Sequence, residues 1–200
     1  LFNLAESAAK DDSACLHRVR TARLPLQFAM LEQAKIIGVG DRGCFDQSAA
    51  GRLHIKPGID SLLTVFVTRC NAAAIPALWE RGTSPDEYYT MTRTFLDEGA
   101  QGHLAAGKPV TLSQPASPKY HDGDASALTD GLRGRNDYHM HWLGFEGEDM
   151  DATIDLGTAQ SVSAIETHFL QDINSWIFKP LRVEFLVSPD GREYRSLGTV

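Results

Sequence analysis

Residues 127–157 read ALTDGLRGRNDYHMHWLGFEGEDMDATIDLG, and the order of their parts decides what the C-terminal half can form. Asp130-Gly131 is a turn signal, because an aspartate side chain bonds its own backbone two residues on and glycine tolerates a left-handed conformation. A loop containing Trp142 follows. Apolar and polar residues then alternate, Ile154 and Leu156 with Thr153 and Asp155, which is the period of a strand with one covered face. The same period returns at Val183, Phe185 and Val187 against Arg182, Glu184 and, less cleanly, Leu186. Ser188-Pro189-Asp190-Gly191 closes a tight turn after it, proline presetting the first central residue. These residues predict antiparallel strands joined by loops, the order of a β-sandwich binding module and not of a catalytic core.

Upstream of residue 100 the period is helical. Leu16, Val19, Leu26, Met30 and Ile37 fall on one stripe, with Arg18, Arg20 and Arg23 largely off it. Asp11 or Asp12 is placed to cap that helix, and Pro25 is expected to kink or split it. A second helix is predicted from about Gly58 to Ala74, with Ile59, Leu62, Leu63, Phe66 and Cys70 inward. A third starts at Ser84-Pro85-Asp86-Glu87, a capping box with proline in the first turn. It is expected to turn Tyr88, Met91 and Phe95 inward and to end before Gly99. Residues 101–126 shift to glycine, proline, serine and aspartate, the composition of a connection with a first strand. The predicted organisation is an α+β chain in two parts: a helical segment over 1–100, a linker and first strand over 101–126, and an incomplete antiparallel β-sandwich over 127–200.

Two further segments, FLQDINSWIFKP (169–180) and VEFLVSPDG (183–191), complete a recurring order: a DG…G…W…G pattern, an IDLG strand end, a WIF-x-P segment and an S-x-DG hairpin. With these, roughly the second half of the chain resembles a coagulation factor 5/8 type C, or discoidin-like, domain. The likeness is to the variant that follows catalytic modules in secreted bacterial glycoside hydrolases. It implies a galactose-binding-like jelly roll that binds carbohydrate. The first half is similar to the end of an alpha-glucuronidase-like family of unknown function, through Leu1-Phe2, Ala5-Glu6, Asp11-Asp12, Arg18-Val19, Ala22 to Phe28, and Ser84 to Tyr89. That likeness implies a catalytic barrel upstream as a partner of this chain, and secretion to an extracellular, periplasmic or cell-surface location. The start at Leu1, and the stop at Val200 just after a hairpin, are expected of a piece of a larger protein whose acid and nucleophile lie elsewhere.

Composition narrows the classes. The formal charge of −7 argues against a nucleic-acid binder, which needs a basic face to displace counterions from phosphate. No apolar run is long enough for a membrane span. Cys15, Cys44 and Cys70 match no metal or redox spacing and allow at most one disulfide, so they read as small buried apolar residues.

Several motifs admit more than one reading. Gly38-Val39-Gly40-Asp41-Arg42-Gly43 fits G-x-G-x-x-G, with Asp60 placed like a ribose-binding acid, yet a dinucleotide site needs a strand before the glycines and a helix precedes these. The expectation is a glycine-ended helix, a loop and no nucleotide cofactor. His139 and His141, with Asp137 and His121, could hold zinc or could be locally bonded loop histidines. Glu146, Glu148, Asp149 and Asp151 could pair as acid and base or form a solvated loop. The discoidin likeness implies a structural calcium at Asp130, with Leu132 and Gly134 as carbonyl donors; the usual acid from the last strand is missing and the loop before Trp142 is longer than the family's. Trp142 is assigned to packing. Tyr138, His139, Asn174 and Trp176 are the candidate sugar contacts, aromatic rings for stacking and polar groups for hydroxyls, while Trp176 also reads as core. The predicted role is therefore non-catalytic: an accessory segment of a polysaccharide-processing protein whose sandwich holds glycan, or else a structural spacer against the barrel.

Overall fold

The computed structural model describes residues 1–49, 51–80, 82–120, 123–135 and 137–200. Among them the chain is α+β, with four α-helices and three separate two-stranded antiparallel sheets and no closed barrel. It divides into two units, Leu1–Ala49 with Leu53–Gln101, and Ala50–Arg52 with Gly102–Val200.

In the first unit a short helix α1 (Phe2–Ala8) precedes α2 (Ser13–Ile37). Asp12 caps α2 by accepting the Cys15 N–H at 2.9 Å, satisfying one of the donors a helix start leaves orphaned. Of the two outcomes expected at Pro25, a kink or a split, the split does not occur: α2 runs unbroken through it. Pro25 and Thr21, whose carbonyl loses its usual donor, are both exposed, so water can take the place of the missing bond. The buried face is also different from the expected stripe. Leu24, Gln27, Leu31 and Ala34 face inward, whereas Leu26, Met30 and Ile37 are 49%, 51% and 44% exposed. Both stripes have helical spacing; the buried one includes Gln27 because its Oε1 accepts from Arg69 of the next helix at 3.4 Å.

Helix α3 (Pro57–Ala72) begins on proline and buries Leu63, Phe66, Val67 and Cys70. Helix α4 (Pro85–Ala100) carries the expected capping box, Ser84 accepting from the Glu87 N–H while Glu87 accepts from the Ser84 N–H at 2.8 Å. It turns Tyr88, Thr92, Phe95 and Leu96 inward but leaves Met91 46% exposed. The helix also continues past Gly99. That glycine is there for close packing: a Cβ would lie 2.6 Å from Cζ of Phe45. Phe45 belongs to β1 (Phe45–Gln47), which pairs with β2 (Leu53–Ile55) in a hairpin that the sequence pattern did not predict.

The G-x-G-x-x-G segment links α2 to this hairpin. Gly38 ends α2 with φ +69, and Gly43 approaches it so closely that a Cβ would lie 2.4 Å from the Gly38 carbonyl oxygen. The Gly40 and Gly43 N–H groups donate to Phe45 O and Gly40 O, so these two glycine donors are bonded to the chain's own carbonyls. Asp60 pairs with Arg93 of α4. Cys44 and Cys70 are buried thiols as expected, and burial pushes Cys44 up to about 12; Cys15 departs from the reading by being exposed on α2.

The second unit is built from short pieces. Strand β3 (Val110–Leu112) pairs with β4 (Ala152–Ile154) in the register Val110↔Ile154, Thr111↔Thr153, Leu112↔Ala152. Strand β5 (Glu184–Val187) pairs with β6 (Arg195–Thr199), with a register shift at Phe185/Leu186. The turn between them is tied by Ser188 Oγ, which accepts from the Gly191 N–H, and by Asp190, which accepts from the Arg192 N–H, both at 2.9 Å.

One charged cluster ties α1, α2 and α3 together. Glu6 accepts from Arg23 at 2.9 Å and Arg69 at 3.0 Å, with Arg20 at 3.4 Å. Burial by itself would raise the Glu6 carboxyl; the Arg23, Arg69 and Arg20 guanidiniums outweigh it and hold the carboxyl below its ordinary range. A lowered carboxylate stabilises the fold above its unfolded pKa and stops doing so as pH falls through the folded one. Glu6→Gln is therefore expected to destabilise the chain by about 1 kcal/mol at neutral pH, with the two proteins converging as pH falls below ~4. Denaturant melts across that range check both the gap and its disappearance.

Candidate functional site

The Asp130 turn is assembled by Thr129, which is fully buried. Its hydroxyl donates to Lys108 O at 2.9 Å and its carbonyl accepts the Gly107 N–H at 2.7 Å, fixing the short 3-10 turn Ala125–Leu128 against the strand region before β3. Asp130 Oδ1 then accepts the Leu132 N–H at 2.7 Å, the aspartate turn its sequence predicts. Its Oδ2 lies 3.7 Å from Nδ1 of His141, a buried residue at φ +57. Gly134, the third residue of the expected calcium set, lies under the Trp142 indole, where a Cβ would stand 2.2 Å from Cε2. The indole N–H donates to Arg135 O at 2.7 Å, so Trp142 is a packing residue with its one polar atom satisfied.

The structure sends the two histidines apart. His141 turns toward Asp130, while exposed His139 bonds Asp137 through its ring at 2.8 Å and its N–H at 3.0 Å. Desolvation would raise the Asp137 carboxyl, and these bonds from His139 more than reverse it, leaving it lowered. His121 lies outside the described residues. Among the described residues no group of three or more His, Cys, Asp or Glu side chains could hold a metal. Asp130 brings one carboxylate to a turn that the Leu132 N–H closes, and Gly134 lies two residues beyond it.

The acidic loop is also placed. Glu146 accepts from Ser117 Oγ at 2.7 Å and Lys119 Nζ at 2.9 Å; Lys119 foremost holds its carboxyl below the ordinary range. That environment favours the ionised form, the reverse of what a general acid requires. Glu148, Asp149 and Asp151 are exposed.

The four candidate sugar contacts fall in two loops. Tyr138 is half-buried, its ring 4.1 Å from the His139 ring and edge-on to Tyr120 at 6.1 Å. Tyr120 is a residue the sequence reading missed; its signal is Gly144, where a Cβ would stand 2.1 Å from the Tyr120 ring. The second loop is closed by a pair of backbone bonds, Asp172 N–H to Ile177 O at 3.1 Å and Ile177 N–H to Asp172 O at 2.9 Å. Asp172 braces it further, accepting from the Asn174 N–H at 3.1 Å and the Ser175 hydroxyl at 2.7 Å. Trp176 occupies the left-handed position of that loop, φ +58, and is 83% exposed, with Asn174 also exposed. Phe178, whose apolar run with Trp176 and Ile177 also reads as core in the sequence, instead stands edge-on to Trp176 at 6.5 Å and is 60% exposed. Among the described residues the ring contacts of each loop stay within the second unit's own local segments: Tyr138 with Tyr120 and His139, Trp176 with Phe178.

Comparison with known protein families, with curated proteins and with solved structures finds no match to this chain. No helix among the described residues is long and apolar enough to cross a membrane.

The glycine beneath Trp142 generates a direct test. Gly134→Ala forces a methyl into the indole and is expected to destabilise the second unit by about 1–3 kcal/mol, followed as an earlier loss of Trp fluorescence in denaturant. Gly58→Ala, where none of the described residues lies within 4 Å of the added methyl, is the control and leaves the midpoint unchanged or raised.

Proposed function

We propose that the chain is a non-catalytic accessory segment of a secreted polysaccharide-processing protein, and that its second unit is a discoidin-like, galactose-binding-like sandwich that binds carbohydrate. The observation carrying this reading is Trp176. A bulky side chain in the left-handed region is uncommon and disfavoured, yet the Asp172–Ile177 bonds hold one there with its ring in water beside exposed Asn174. An exposed ring flanked by an amide is what stacking on a pyranose with a hydrogen bond to a hydroxyl calls for. Tyr138 and His139 would supply a second ring and polar group.

A structural role is the competing reading, and it too has an observation in its favour. Ile173, Phe178 and Leu181 around Trp176 are also exposed, an apolar set that suits a protein face as well as a sugar. A glycan array with the chain and with Trp176→Ala separates the two. Recognition expects binding lost in the variant and, since the ring is already in water, a stability change within about 0.5 kcal/mol. Absence of glycan binding by the parent chain supports the spacer.

Calcium belongs to the same proposal, Asp130 giving the carboxylate and Leu132 and Gly134 the carbonyls. A ligand that binds only the folded state stabilises it by mass action. Calcium is therefore expected to raise the melting midpoint of the parent chain and to leave Asp130→Ala unmoved; equal responses reject the site.

A further inference from the structure

The first unit holds a groove that the carbohydrate reading does not use. It opens between α2 and α3, encloses about 300 Å³, and is lined by Ser13, Leu16, His17, Arg20, Thr68 and Arg69 among others. Behind it stands the Glu6 cluster, in which three guanidiniums meet one carboxylate, so +3 against −1 leaves a local excess of two positive charges. That excess sits in a chain whose formal charge is −7.

The donors are incompletely used. Arg20 gives only its Nε to Glu6, and at 3.4 Å, which leaves both terminal nitrogens without a protein acceptor among the described residues. Arg69 is 20% exposed and held in place by Glu6 and Gln27, so its guanidinium is fixed before any ligand arrives. Arginine forks match the planar or tetrahedral array of oxygens on a carboxylate, sulfate or phosphate, and a partly desolvated fork binds such a group more strongly than a solvated one. The threonine hydroxyls do not compete for the role, because Thr21 and Thr68 donate to His17 O and Thr64 O. His17 and Ser13 remain as further polar groups at the rim. Leu16 and Ala72 give the groove an apolar wall.

We propose that the α2/α3 groove binds an oxyanion, gripped by Arg20 and Arg69 with His17 at its rim, and that Glu6 serves to align those guanidiniums. The group belongs to a small acidic ligand, either a carboxylated sugar or a sulfated or phosphorylated compound.

The test is calorimetric titration of the full chain with a hexuronate, with inorganic sulfate and with inorganic phosphate, beside Arg20→Gln and His17→Ala. Arg23 and Arg69 still hold Glu6 in the first variant, so the fold is expected to persist, which a melting curve verifies; His17→Ala carries the test if it does not. Saturable binding that weakens with added salt and falls about tenfold or more in Arg20→Gln supports the site. Tighter binding of the hexuronate assigns a carboxylated sugar; tighter binding of sulfate or phosphate assigns the other class. No saturable binding of any of the three, or equal binding by parent and both variants, overturns the proposal.

Discussion

The helical unit depends on Tyr88. Its ring is buried at the meeting of three segments, 5.5 Å from Phe28 of α2, 5.7 Å from Phe66 of α3 and 6.0 Å from Trp79 in the connection before α4. Each such pair contributes about 0.5–1.5 kcal/mol beyond the area it buries. A phenol cannot be buried there without an acceptor, and Glu32 of α2 provides one at 2.7 Å. Burial foremost, and then the Glu32 charge, push the Tyr88 hydroxyl far above its usual range, so it stays a donor. Lys35 neutralises Glu32 at 2.6 Å while lying over the Tyr88 ring. Helix positions, ring packing and ion pair are thus one constraint, and the hairpin β1–β2 adds a second layer through Phe45 against Phe95 and Gly99.

The second unit is held by a different device. It buries few apolar side chains and instead seats aromatic rings on glycines, Trp142 on Gly134 and Tyr120 on Gly144, while aspartates at 124, 130, 137, 172 and 190 bond the backbone two residues on. Such turns fix loops locally without fixing how the strand pairs meet. A two-stranded ribbon is marginal in water, and β5–β6 leaves Leu186 and Leu197 about half exposed. A sandwich partner sheet is what the proposed fold would place against one side of this ribbon.

What was legible in the sequence was local. Asp12 and the Ser84/Glu87 box cap their helices because a cap needs only residues within one turn. The buried stripe of α2 was not legible, since Gln27 is drawn inside by Arg69, forty-two residues away, and Ala34 by close packing. Gly99 looked like a helix end for the same reason: nothing near it in sequence announces Phe45. The hairpin β1–β2 has strands of three residues, too short to show a period. Within the candidate site, the Asp130 and Asp172 turns could be read from residue type, but the pairing of Tyr120 with Gly144 and the separation of His139 from His141 are tertiary facts.

The two tryptophans of the second unit show how residue type and role come apart. Trp142 and Trp176 both follow a turn built by an aspartate, and both sit in loops with polar neighbours. Trp142 finds a glycine beneath it and a carbonyl for its indole N–H, so its ring stays with the backbone. Trp176 has neither. The loop Asp172–Ile177 is closed by its own backbone pair, and that closure puts residue 176 at φ +58, a conformation disfavoured by about 1–2 kcal/mol for an L-residue. Glycine or asparagine would occupy the position without that penalty. A tryptophan kept there, strained and 83% in water, contributes little to holding this unit together. What it can contribute is a rigid ring presented to something outside the unit, and whether that is a sugar face or a protein face turns on the polar reach of Asn174 against the apolar reach of Phe178.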